Sequence, residues 1–484
     1  MNADNTLPQS DEYRCPGEEH AISQSVHLGR LAAFYPACRQ CPRRDDTGTL
    51  SPRQVAQLAE TRGRAQPQSL FHDEGAGGVY LNDLTPAAAR KIAAAFGAAM
   101  IEEGLKQIRE GEGERGRGGE KHGDCDDLLV SLSPCLPLSP SVLLAGDGRP
   151  LTAELVAAAA EGLRAVGCNV VDIGPSTGAC LAFAVDRFQT AGGVLVGNPG
   201  SDSHTAGLKF WASGSRPLSA GGSLEPIIER YRAGNYPNSS IGEKGEGTLP
   251  FRPTRTYGEL TRCQAEEPYL AQMSEHYHAL RPLRVVIDSA SKPTVDFLRR
   301  LVAAVACEVV ACRTSRNDLA RQILDAAAHF AVCIDGDGET CHALDERGRD
   351  VSPERLLLLV AQRSSAKSVV LETETSRAVI DRLGQFGMQI ATSSPRRADM
   401  YAAMRQSGAV LGGGPSGRFW HVEAGLPGTV PIFVSAKMGL SPLTPTQAGL
   451  PLCDALMTVT RLLMLLSQSD EPFSEVLDRD AALG

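Results

Sequence analysis

Short apolar, β-branched runs recur along the chain, each followed by a stretch in which apolar residues return every three or four positions. Runs of the first kind read as buried strands and stretches of the second kind as helices lying on them, so the alternation predicts mostly parallel sheets covered by helices. A strand is expected over Ser141–Ala145, then a Gly146-Asp147-Gly148-Arg149-Pro150 turn, a helix over Thr152–Val166 and a strand over Asn169–Ile173. The alternation continues to Trp211 and restarts with strand Leu283–Ile287, helix Thr294–Val305, strand Glu308–Cys312, helix Leu319–His329 and strand Phe330–Ile334. It restarts again with strand Ser368–Glu372, helix Ser376–Gly384 and strand Gln389–Thr392, and ends in a helix over Cys453–Ser467. Ahead of all this, Gly75 to Gly78 reads as a glycine-rich turn, and Thr85-Pro86 caps an Ala-rich helix expected to run to about Ile108.

Between these blocks the pattern fades. Residues 111–127 are rich in Gly, Glu and Arg and poor in apolar residues, which predicts a disordered insertion. Residues 235–255 read as a second linker. The expected organisation is a separate N-terminal segment over 1–65, then α/β units over 66–250, 255–365 and 366–475.

Composition narrows the functional classes. The chain has 484 residues, 42% of them hydrophobic and 22% charged, with a net charge of -9. An acidic balance argues against nucleic acid or an anionic membrane as a partner. No apolar run approaches the roughly 18 residues of a membrane span, and the polar start of the chain does not read as a signal peptide. Thirteen scattered cysteines predict reduced thiols and a cytoplasmic location.

Three segments carry candidate chemistry. From Gly193 to Phe210 a β-branched run enters a Gly/Pro/Ser/Asp loop and leaves through Gly207-Leu208-Lys209, as in an active-site loop at the end of a buried strand. At Asp335-Gly-Asp337-Gly-Glu339, carboxylates alternate with glycines directly after an expected strand, a donor set suited to Mg²⁺. In the N-terminal segment, Cys38-Arg-Gln-Cys41 has the spacing of a zinc turn, with Cys15 as a third ligand and His20 or His27 as a fourth; the Cys-x-x-Cys lacks the context of a redox motif. Such a segment suits a structural Zn²⁺ and a docking site for a protein partner.

The loop around Lys209 resembles the nucleophile loop of the α-D-phosphohexomutases, the phosphoglucomutase/phosphomannomutase family. In that family a Thr-Ala-Ser-His-Asn-Pro loop carries the phosphoserine ten residues before a lysine. Here Pro199 stands ten residues before Lys209, and Ser201 and Ser203 lie closer to it. Residues 335–339 resemble the family's Asp-Gly-Asp-x-Asp-Arg metal loop, with Glu339 for the third aspartate and Thr340 for the arginine. Gly414-Pro-Ser416-Gly417-Arg418 resembles the sugar loop Glu-x-Ser-Gly-His, with Gly414 for the glutamate and Arg418 for the histidine. Phe71 to Gly78 resembles the opening turn, with Gly77 where the family has an arginine.

The resemblance implies an α/β fold of three successive phosphohexomutase-type α/β/α domains with mixed, mostly parallel sheets. It also implies Mg²⁺ as cofactor, a hexose phosphate as ligand, Lys209 and Ser203 as the remaining catalytic candidates, and Ser416 and Arg418 for the substrate. About a dozen residues follow Pro472, so the family's phosphate-binding fourth domain is not expected. The expectation for function is a phosphohexomutase-like protein, catalytically degenerate, acting as a sugar-phosphate binder or regulator. The alternatives are an active mutase with a displaced serine and a structural subunit.

Overall fold

The computed structural model describes residues 13–14, 21–32, 38, 41–63, 70–81, 83–115, 139–197, 205–234, 257–312, 316–364, 366–423 and 449–482. At the N-terminus, β1 (Tyr13–Arg14) pairs antiparallel with β2 (Ala21–Ile22), followed by α1 (Gln24–Ala32) and α2 (Pro52–Gly63). These elements close on a small core of Leu31, Cys38 and Leu58.

The first unit contains β3 (Phe71–His72), β4 (Gly75–Val79), α3 (Pro86–Arg115), β5 (Ser141–Gly146), α4 (Ala153–Ala165), β6 (Asn169–Pro175), α5 (Gly178–Arg187), β7 (Gly192–Gly197), β8 (Thr205–Ala212), β9 (Arg216–Pro217) and α6 (Glu225–Ala233). Its eight-stranded sheet has the order β10-β6-β5-β7-β8-β4-β3, with β9 on β8 and β10 (Leu260–Arg262) at the edge. After α7 (Glu266–Ser274), the second unit contains β11 (Arg284–Ser289), α8 (Lys292–Val302), β12 (Glu308–Cys312), α9 (Arg316–Asp325), β13 (Phe330–Ile334), β14 (Cys341–Asp345), β15 (Asp350–Val351) and α10 (Pro353–Arg363), with sheet order β12-β11-β13-β14-β15. The third contains β16 (Ser368–Glu372), α11 (Arg377–Gln385), β17 (Gln389–Ser393), α12 (Arg397–Ser407), β18 (Leu411–Gly413), β19 (Trp420–Val422), β20 (Pro451–Cys453), α13 (Ala455–Leu466) and α14 (Phe473–Ala482), with sheet order β17-β16-β18-β19-β20.

One wiring diagram recurs. Counting from β5, β11 and β16, the first strand of each unit is flanked by the second and third in parallel, and the fourth returns antiparallel beside the third. The connection from third to fourth strand is therefore equivalent in the three units. It comprises 198–204 in the first, Asp335–Thr340 in the second and Gly414–Phe419 in the third. Ligands of open α/β sheets bind beyond the carboxyl ends of the strands, which is where all three connections start.

The α/β class with mixed sheets follows the sequence pattern, and strands β12, β13 and β16 fall on the expected residues. Two local expectations are corrected. Gly75–Gly78 is not a turn but most of β4, laid antiparallel along β8. The helix that starts after Thr85, whose hydroxyl accepts the Ala88 N–H at 3.1 Å, does not stop near Ile108 but runs to Arg115, into the segment expected to be disordered. Its Glu and Arg residues are good helix formers and carry the helix past the glycines between them. Residues 116–127 and the 235–255 linker, apart from its neighbours, lie outside the described residues. Among the described residues, no helix is long and apolar enough to cross a membrane.

The glycines of β4 are a packing requirement. Gly75 has φ 153°, and a Cβ there would sit 2.2 Å from the Leu208 carbonyl oxygen of β8. Gly75→Ala should therefore part the β4–β8 ladder and cost roughly 1–3 kcal/mol, as overpacking does. A urea midpoint equal to wild type would refute this close approach.

Candidate functional site

The acid loop of the second unit is held from both sides through its main chain. The Asp337 carbonyl accepts the Gly178 N–H at the start of α5 (2.8 Å), and the Gly338 carbonyl accepts the Ala455 N–H at the start of α13 (3.0 Å). Two helices of the neighbouring units thus place an N-terminal amide on this loop, satisfying donors that a helix start leaves open. Cys341 N–H donates to the Gly417 carbonyl at 2.9 Å and ties the acid loop to the sugar loop. Within the loop, Asp335 Oδ1 accepts the backbone N–H groups of Glu339 (2.9 Å) and Thr340 (3.2 Å), so this carboxylate shapes the turn.

The other two carboxylates meet cations. Lys209, 3% exposed on β8, brings Nζ to 2.6 Å from Asp337 Oδ2 and 2.7 Å from Glu339 Oε2. Arg397, 1% exposed at the start of α12, brings Nη1 to 3.1 Å from Glu339 Oε1 and lies 4.4 Å over the Trp211 ring. Arg397 Nε then faces Glu74 Oε2 at 3.1 Å, and Arg418 Nη1 faces Glu74 Oε1 at 3.2 Å. The three units meet in this one cluster: Glu74 and Lys209 come from the first, Asp337 and Glu339 from the second, Arg397 and Arg418 from the third.

Burial pushes the Glu339 carboxyl up, but Arg397, Lys209 and Arg418 outweigh it and hold it down at about 2. For Asp337 burial prevails over Lys209, and with Asp335 and Glu339 nearby the carboxyl rises to about 7. Glu339 is accordingly the carboxylate that keeps its charge. Burial works against the Lys209 ammonium, yet Asp337 and Glu339 more than offset it and raise its pKa.

These contacts decide the Mg²⁺ question raised by the sequence. Mg²⁺ needs near-octahedral oxygen donors with lone pairs to spare. Asp335 is engaged by amides and Asp337 and Glu339 by an ammonium and a guanidinium, so the arrangement does not fit the ion. Among the described residues, no three His, Cys, Asp or Glu side chains are grouped as a metal site.

The sugar-loop residues are likewise committed to protein partners. Glu372, at the end of β16, accepts the Ser416 N–H at 3.0 Å and the Ser416 hydroxyl. A Cβ on Gly414 would lie 2.6 Å from Glu372 Cβ, so Glu372 fills the space a side chain at 414 would need. Arg418, 20% exposed, is the sugar-loop cation and also faces Glu74. Gly77 lies in β4, across from Gly207 of β8.

Pro199, Ser201 and Ser203 lie outside the described residues, as do Cys15 and His20. Cys38 and Cys41 are buried and joined by a Cys41 N–H to Cys38 carbonyl turn of 3.4 Å. His27 is buried too, stacked on Tyr13 at 4.2 Å with Nε2 3.0 Å from the Asp46 carbonyl oxygen. That ring nitrogen already has a protein partner. Sequence reasoning brought Lys209, Asp337, Glu339 and Arg418 forward and missed Glu74, Arg397 and Glu372. Arg397 and Glu372 stand in no motif, Glu74 lies in the opening turn at a position that carries no signal of its own, and the partners of all three lie far along the chain.

Residues 130–233 match the family model described as phosphoglucomutase/phosphomannomutase, alpha/beta/alpha domain I. The chain is 25% identical over 371 residues to a phosphoglucosamine mutase of Frankia alni, covering 72% of each protein. It is 22% identical over 305 residues to a phosphomannomutase/phosphoglucomutase of Pseudomonas syringae, covering 59% of this chain and 62% of that protein. A crystal structure of a phosphoglucomutase/phosphomannomutase family protein from Burkholderia thailandensis has the same fold, with TM-score 0.62, 20% identity, and coverage of 85% of this chain and 79% of the other. The fold is also that of the Paramecium phosphoglucomutase parafusin in its open form, with TM-score 0.53, 13% identity, and coverage of 70% and 66%.

Two outcomes test the cluster. Millimolar Mg²⁺ or a chelator should leave the wild-type melting temperature unchanged. Lys209→Met strands buried carboxylates, should cost about 3–5 kcal/mol, and should gain a Mn²⁺- or Mg²⁺-dependent stabilisation; a wild type stabilised by Mg²⁺ would contradict the pairing. The folded-state pKa of Glu339 lies below its ordinary 4.5, so its contribution is present above 4.5 and fades as pH falls toward about 2. Urea midpoints taken down through this window should fall more steeply in wild type than in Glu339→Gln; equal slopes would contradict a depressed carboxyl.

Proposed function

We propose, for a chain that belongs to the phosphoglucomutase/phosphomannomutase family, a role in hexose phosphate metabolism without turnover: it binds a sugar phosphate and acts as a regulator. The observation that carries this reading is Lys209 Nζ, 2.6 and 2.7 Å from Asp337 and Glu339. Metal-assisted phosphoryl transfer needs a divalent cation to neutralise charge that develops on the transferring group, and a nucleophile held in line with it. Here the carboxylates suited to that cation are engaged by the protein's own lysine and arginine. Pro199 at the aligned serine position and Gly77 at the aligned arginine position support the same reading. The shared fold and the basic residue at the sugar loop, Arg418, support binding as what remains.

The charge cluster also favours a second reading. Six buried or half-buried charges from three units clamp the cleft, as would suit a subunit whose task is assembly with a partner. In either reading the protein is cytoplasmic, as its thirteen scattered cysteines suggest.

The test supplies purified protein with Mg²⁺, glucose 1-phosphate or mannose 1-phosphate, and catalytic hexose 1,6-bisphosphate. No 6-phosphate should form, and no phosphopeptide spanning Ser201 or Ser203 should appear. Turnover that disappears in Ser203→Ala or Ser201→Ala would instead establish a displaced nucleophile. A melting temperature raised by a hexose phosphate distinguishes the binder from the purely structural subunit.

A further inference from the structure

One carboxylate of the cluster is held as a ligand would be. Glu74 lies in the turn between β3 and β4 and reaches across to the third unit. There its Oε1 accepts the Arg397 backbone N–H at 3.3 Å and Arg418 Nη1 at 3.2 Å, while Oε2 faces Arg397 Nε at 3.1 Å. The Arg397 amide is the first of α12, an 11-residue helix. Two guanidinium groups and a helix N-terminus therefore converge on one anion, a combination that binds phosphate as readily as carboxylate.

Receptor and occupant belong to different parts of the fold: every donor comes from the third unit and the anion from the first. The receptor does not depend on Glu74 for its shape. Arg397 Nη1 is fixed by Glu339, its guanidinium lies on Trp211, and Arg418 Nη1 is also 3.5 Å from the Pro395 carbonyl oxygen. The site is reachable from the Glu74 side, where Glu74 is 13% and Arg418 20% exposed. The β3–β4 turn is pinned to β8 at Gly75, so Glu74 can leave by side-chain rotation alone.

We propose that Arg397, Arg418 and the N-terminus of α12 form a phosphoryl-binding subsite, and that Glu74 is an internal occupant which a phosphate-bearing ligand displaces. The proposal rests on the reading of the protein as a hexose phosphate binder, and it assigns the phosphate end of that ligand to this subsite. A phosphoryl group brings a charge of about -1.5 to -2 and three acceptor oxygens against the single charge and two oxygens of a carboxylate, so it competes favourably for the same donors. Occupancy of the subsite by Glu74 sets a threshold, and ligand binds only at concentrations that overcome the tethered carboxylate. No covalent bond forms or breaks in the exchange.

The test uses the full chain as wild type, Glu74→Gln, Glu74→Asp and Glu74→Gln/Arg418→Gln, titrated with inorganic phosphate, glucose 1-phosphate and glucose. Binding is read by calorimetry and by tryptophan fluorescence, since Trp211 lies under Arg397. Removing a tethered competitor should tighten inorganic phosphate binding by about tenfold or more in Glu74→Gln. Glu74→Asp, one methylene shorter and less disruptive to folding, should show an intermediate gain. The double variant should lose phosphate binding, and glucose should not bind in place of phosphate. A folded Glu74→Gln protein with wild-type phosphate affinity, or binding that survives Arg418→Gln, would overturn the subsite. Tight inorganic phosphate with no binding of glucose 1-phosphate would uphold the subsite and overturn the hexose phosphate reading instead.

Discussion

The structure depends on a lysine buried between two carboxylates. Asp337 and Glu339 let Lys209 stay charged inside the protein, and Lys209 with Arg397 keeps the buried Glu339 ionised. Because Lys209 belongs to one α/β unit and its partners to another, the mutual need of these charges is also a need of the units for each other. Arg397 extends the dependence to the third unit through Glu339. Buried pairs of this kind add little net stability against apolar packing, yet breaking one leaves a bare charge, which makes the relative placement of the units specific.

Two of the loops that meet here, Asp335–Thr340 and Gly414–Phe419, are equivalent in the wiring of their sheets, each joining a third strand to a returning fourth. The equivalence explains how one point in space is reached by segments far apart in the chain. It also explains why each loop opens at the carboxyl end of parallel strands, where ligands of such sheets bind. In the second unit the loop carries carboxylates; in the third it carries Ser416 and Arg418, backed by Glu372 at the end of the unit's first strand. The carboxylate of Glu372 lies against the space beside Gly414, so the acidic group at this loop comes from a strand end.

Much of this fold could be read in the sequence because local signals agreed with the final packing. The runs at Glu308–Cys312, Phe330–Ile334 and Ser368–Glu372 are strands over those same residues, since a β-branched run bounded by polar or glycine residues has few other stable uses. Gly75–Gly78 misled because glycine signals a turn locally, whereas β4 carries glycines because β8 approaches too closely for side chains. The site was legible where carboxylates and glycines are spaced for a tight loop and where Lys209 follows a strand. Its electrostatics were not: Arg397 and Glu74 are 323 residues apart, and Arg418 and Glu74 are 344 apart, so nothing in either neighbourhood announces the pair. Nor could spacing tell that the acid loop would face an ammonium rather than a metal ion.

The carbonyl oxygens of Asp337 and Gly338 receive the first amides of α5 and α13, and Gly338 holds its own at a φ of 75° that favours glycine. The joint between the three units thus runs partly through main-chain atoms. The joint therefore combines main-chain bonds with the charge pairs of Asp337 and Glu339. Where a charge on the loop is exchanged, these main-chain bonds remain as a second hold between the units.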